Sequence, residues 1–125
     1  MAPHHAILER TCWLLGRVPG VVVHSHWQEP GVACIDFSVQ LAESATALEH
    51  IAMGANVPNR TPVRSEVSVG RQTLAPSTVS FDMFSSGNLQ LLAIHLTWYL
   101  HRMGRLEVHE ANKWLKSWSA APVGV

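Results

Sequence analysis

The sequence predicts a two-layer α+β domain: about four mostly antiparallel strands in two strand-strand-helix units, with an N-terminal helix and a C-terminal helical hairpin. Three observations carry that expectation. Residues 88–104, NLQLLAIHLTWYLHRMG, set Leu89, Leu92, Leu96, Tyr99 and Met103 at alternating three- and four-residue steps, the repeat of one helical face. Residues 21–40 change to a period of two on either side of Glu29-Pro30-Gly31, the pattern of a hairpin. The order then recurs. Cys34-Ile35-Asp36-Phe37 and Ser80-Phe81-Asp82-Met83 stand roughly 46 residues apart, which suggests an internal pseudo-repeat over 21–55 and 66–104 within one domain, 1–125.

Taken in order, residues 4–17 read as the first helix, with Ile7, Leu8, Cys12 and Leu15 on one face, and Pro19-Gly20 ends it. In the hairpin, a three-residue loop pairing Gln28 with Val32 would put Val21, Val23 and Trp27 on the same face as Ala33, Phe37 and Val39. A one-residue slip would separate the two apolar sets. Ser44 is expected to cap a second helix over 45–54, with Leu48, Ile51, Ala52 and Ala55 inward. A proline-marked loop, 56–65, leads to the second strand pair: Val67 and Val69 alternate in one strand, Val79, Phe81 and Met83 in the other. The central apolar helix follows, with Leu91, Ile94 and Trp98 as a second stripe and Gln90, Thr97, His101 and Arg102 toward solvent. Gly104 suits a left-handed cap, and the last helix spans 107–118 with Val108, Ala111, Leu115 and Trp118 inward. Residues 120–125 read as a frayed tail.

Composition narrows the function classes. An apolar fraction of 47% and a charged fraction of 14% over 125 residues describe an ordered globule with a real core. Nine basic and nine acidic residues cancel, which weighs against gripping nucleic acid by charge alone. The start, MAPHHAILERTCWLLG, has no basic leader before an unbroken apolar run, and no stretch is apolar enough to cross a bilayer. Cys12 and Cys34 belong to no C-x-x-C pair, so reduced thiols and a cytoplasmic location are expected.

Candidate chemistry is sparse. The expected register places His24 opposite Asp36 and His26 opposite Cys34 on the sheet face away from the core, and these are zinc-ligand types. No G-x-S-x-G or H-E-x-x-H is present, and no catalytic residue is assigned. Five tryptophans exceed what a small core requires. Trp27 and Trp98 are expected to fill the core, whereas Trp114 and Trp118, neighbours on the last helix, are expected to meet a partner. Arg60, Arg64 and Arg71 on or near the long loop supply further interface-type side chains.

These features point first to a small non-catalytic interaction protein of the inhibitor, adaptor or immunity-protein kind, acting on a protein partner or on a second copy of the chain. The alternatives are a metal-binding protein or metal-dependent enzyme on the His24, His26, Cys34 and Asp36 face, and a nucleic-acid binder through the Arg60–Arg71 loop.

Overall fold

In the computed structural model, which describes residues 3–30, 32–57, 77–83 and 86–124, the elements run α1 (Pro3–Gly16), β1 (Val21–Glu29), β2 (Val32–Val39), α2 (Ala42–Gly54), β3 (Ser77–Met83), α3 (Ser86–Arg102) and α4 (Val108–Ser117). The fold is α+β. Its described sheet has three antiparallel strands in the order β1-β2-β3, rather than the four expected. The strand expected at Val67 and Val69 lies outside the described residues. Of the two anticipated units, the first is present as β1-β2-α2, and β3 and α3 are the described parts of the second. Among the described residues no helix is long and apolar enough to cross a membrane.

β2 is the middle strand, and Ala33, Ile35, Phe37 and Val39 on its inner face are fully buried. α3 packs against α1, α2, α4 and β3, while α1 lies against β1 and α2 against β2, so the three helices share the sheet and α3 is enclosed among them. Its buried stripe is Leu89, Leu92, Ala93, Leu96, Thr97 and Leu100. Two expectations change here. Leu91 and Met103 are exposed, and Thr97, expected in solvent, has no exposed surface. The hydroxyl makes that burial tolerable by donating to the Ala93 carbonyl one turn back, 2.8 Å away. Thr11 on α1 does the same toward the Ile7 carbonyl at 2.7 Å.

The hairpin register departs from expectation at one residue. Val21, Val22 and Val23 pair with Val39, Ser38 and Phe37 as expected, but Ser25 then pairs with Asp36 and Trp27 with Cys34. The extra residue that a three-residue loop would have held sits instead in β1, as a bulge at His24, and Glu29 pairs with Val32. Beyond the bulge every side chain of β1 changes face relative to β2. Trp27 therefore joins Cys34 on the outer face and is 41% exposed, not core as expected.

The helix ends explain the sharp corners. α2, α3 and α4 each close with the paired hydrogen bonds of a Schellman motif, through Val57 N to Ala52 O, Arg105 N to Leu100 O and Ala120 N to Leu115 O. The left-handed residues at these ends are Asn56, Gly104 and Ser119. Ser44 is not the cap of α2. It lies inside the first turn, after an N-cap at Leu41 without a side-chain hydrogen bond, and its hydroxyl donates to the Pro19 carbonyl at 2.6 Å. That bond ties α2 to the α1-β1 turn. The tail is also docked rather than frayed: Val123 is buried, and its N–H donates to Asn112 Oδ1 at 2.8 Å.

Two left-handed glycines separate conformational cost from steric cost. A Cβ at Gly104 would meet no atom within 4 Å, whereas one at Gly20 would stand 2.8 Å from Leu41 Cγ. Gly104→Ala should therefore cost only about 1 kcal/mol. Gly20→Ala should cost at least twice that, because the backbone there is also held by Gln40 N donating to Gly20 O. Urea unfolding of the two variants checks the ranking. Ser119→Gly should raise stability slightly.

Candidate functional site

Arg10 and Trp13 on α1 and Arg17 just past its end stand at steps of three and four, and Glu110 and Trp114 on α4 with Trp118 at its C-cap stand at steps of four, so each set follows one helical face. The fold brings the two faces together. The Arg10 guanidinium lies 4.1 Å from the Trp13 ring centre and 4.5 Å from that of Trp114. Its Nη2 stands 3.2 Å from Glu110 Oε2. Arg17 lies 4.7 Å from the same Trp13 ring, and its Nη2 donates to the Arg105 carbonyl at 3.1 Å. Trp118 tilts against Trp114 with ring centres 5.5 Å apart. The run Arg17, Trp13, Arg10, Trp114, Trp118 thus bridges the first helix to the last.

Arg10 is buried, and Nε makes no hydrogen bond among the described residues. Two ring faces and one carboxylate stand where water would otherwise solvate it. Desolvation pulls its pKa below the ordinary guanidinium value, while the charge of Glu110 pushes the other way. A desolvated cation-ring contact is worth up to about 2 kcal/mol, and the aliphatic stem adds packing. The first spacing is legible in the sequence, but an arginine amid apolar residues reads as an interruption of the stripe. Only the approach of α4 supplies the second ring and the carboxylate.

The tryptophans expected at an interface divide. Trp118 is 8% exposed and belongs to the core, with its carbonyl accepting from Gln90 Nε2 at 3.3 Å. Trp114 is half-buried at the margin, beneath Arg10. Trp13, which the sequence did not single out, is 41% exposed at the open side of the same stack. Arg60, Arg64 and Arg71 lie outside the described residues.

The four candidate metal ligands are not brought together. His24, at the bulge, bonds the Ser38 hydroxyl on the outer face, where Cys34 and Asp36 also stand. His26 pairs with Ile35 and so belongs to the opposite face. Among the described residues no group of three or more His, Cys, Asp or Glu is placed to hold a metal ion. The His24–Ser38 contact has the components of a nucleophile and its base. However, β2 is paired along both edges, which directs its N–H groups into neighbouring strands rather than toward an oxyanion. Its evident effect is to satisfy a nearly buried hydroxyl.

Comparison of the chain with protein-family models, with curated proteins and with solved structures gives no match.

Two outcomes follow from this geometry. Arg10→Ala should lower stability by about 2–4 kcal/mol, and Arg10→Met, which keeps the stem, by visibly less, measured by denaturant unfolding. The Cys12 thiol is pushed up to about 12, first by burial and then by the charge of Glu9. It should therefore resist a disulfide reagent at pH 8 in the folded protein and react once the chain is unfolded. Because the folded value lies above the unfolded one, this group's contribution to stability is present below about pH 9 and is lost as pH rises toward 12. An alkaline titration of the melting temperature reads that loss.

Proposed function

We propose that this chain is a small non-catalytic binding protein, of the inhibitor, adaptor or immunity-protein kind, that acts by docking another macromolecule on the face shared by α1 and α4. The observation that supports this reading is the Trp13–Arg10–Trp114 stack. Tryptophan and arginine are the side chains most favoured at the energetic centres of interfaces. Here they are already ordered against one another before any partner arrives. Binding would thus sacrifice little side-chain freedom, which is among the larger costs of association. Trp13 is 41% exposed and its indole is held by Arg10 and Arg17. In this reading it takes the place first given to Trp118. A cytoplasmic setting fits Cys12 and Cys34, which stand as separate thiols.

Capture from a native-host extract, quantified by mass spectrometry, tests the reading. Wild-type chain should retain a defined partner, and Trp13→Ala should weaken that retention by roughly 30-fold, the effect of a central interface tryptophan. Met53→Ala, at a side chain 70% exposed on α2, should change nothing. Circular dichroism confirms that each variant is folded. A partner retained equally by Trp13→Ala, or wild-type chain that retains none above background, overturns the proposal.

A further inference from the structure

Beside the indole stack, the α1-β1 turn and the α3-α4 turn enclose an open groove of about 500 Å³ lined by Gly16, Arg17, Pro19, Gly20 and Arg105 among others. None of the described residues lining it is acidic. We propose that this groove binds a phosphate group, free or as a phosphomonoester, between the guanidiniums of Arg17 and Arg105.

Arg17 is held on one side by the Trp13 ring at 4.7 Å and on the other by the Arg105 carbonyl at 3.1 Å. Neither contact neutralises it. A guanidinium carries five N–H donors in a planar fork, so the bond to Arg105 leaves most of them for a ligand, and stacking on the indole fixes the plane in which they point. Arg10 differs in this respect, since Glu110 stands beside it. The backbone reinforces the placement. Arg105 follows the left-handed Gly104, and its N–H closes the end of α3 on the Leu100 carbonyl at 2.8 Å. Gly20, also left-handed, packs under Leu41.

Two helices end at this groove, and helix C-termini repel anions. That objection is reduced by the caps. Leu14 and Leu15 carbonyls accept from Arg17 and Val18 N–H, and Leu100 and His101 carbonyls accept from Arg105 and Gly104 N–H. The charge of the ligand follows from that of the groove. Two arginines match a phosphomonoester carrying nearly two negative charges at neutral pH, and its three terminal oxygens can accept from both forks. A carboxylate, with two oxygens, fills one fork only.

The test is a titration of the full chain with inorganic phosphate, chloride being exchanged to hold ionic strength constant, followed in ¹H–¹⁵N spectra. Saturable one-site shifts confined to residues 16–21 and 104–106 are expected. Arg105→Gln should weaken binding roughly tenfold or more, the worth of a charge-assisted hydrogen bond, at an unchanged melting temperature, because the bonds Arg105 gives the fold come from its backbone N–H and carbonyl. Lys116→Gln should titrate like wild type. Shifts that rise without saturation across all basic residues, or an Arg105→Gln variant that binds as wild type does, overturn the proposal. Glycerol phosphate and phosphatidic acid vesicles, titrated separately, distinguish a soluble from a lipid source, and response to neither counts against the site. Capture reads a retained macromolecule through Trp13→Ala, whereas the titration reads bound phosphate through Arg105→Gln, so failure of the docking reading leaves this result interpretable.

Discussion

The burial of α3 is the constraint from which most of the structure follows. The helix meets the sheet at β3, while α1, α2 and α4 pack around it and α1 and α2 lie against β1 and β2. A helix so enclosed must dispose of each polar group locally or at its rim. Thr97 does so within the helix, on the Ala93 carbonyl. Gln90, Trp98 and His101 do so at the rim, on carbonyls of Trp118, Ala121 and Leu106. Those three bonds hold the α3-α4 turn and the C-terminal segment against α3. The turn and the segment thereby supply acceptors to side chains at the rim of α3.

The outer face of the sheet is governed by a single inserted residue. In a strand, side chains alternate with a period of two, so one bulge is enough to invert everything beyond it. At His24 that inversion keeps Val21 and Val23 on the core side and moves Trp27 outward. It also separates His26 from His24. A His-x-His segment that would present both imidazoles together on a regular strand presents them to opposite faces here.

Charge is arranged with similar economy on the helical side. A neutral chain with few charged residues still gathers Arg10, Arg17 and Arg105 near one edge, with Glu110 balancing Arg10. Tryptophan is what makes this possible. Its ring faces accept the cation where a second carboxylate would have to be desolvated at greater cost. The same rings fix the guanidinium planes, and a fixed donor fork is what both proposed binding surfaces require.

The sequence by itself determined the elements whose signal is local. The helical period of 88–104, the alternation of 21–28 and 32–39, the Pro19-Gly20 stop and the left-handed Gly104 all express short-range sterics and one-sided burial, which depend on neighbours within a few residues. Tertiary structure decided what depends on a partner from far along the chain. The bulge at His24 moves the hairpin's extra residue out of the loop, and an alternating pattern reads equally well with that residue in the turn or in the strand. Trp118 is buried and Trp13 exposed because α4 packs on α3 and meets α1 at one particular rotation, and each helix alone permits several. Arg10 becomes a buried cation only when Trp114 and Glu110 arrive from a hundred residues away in sequence. Side-chain periodicity states which residues share a face, but which face is covered is settled by the packing that removes it from water.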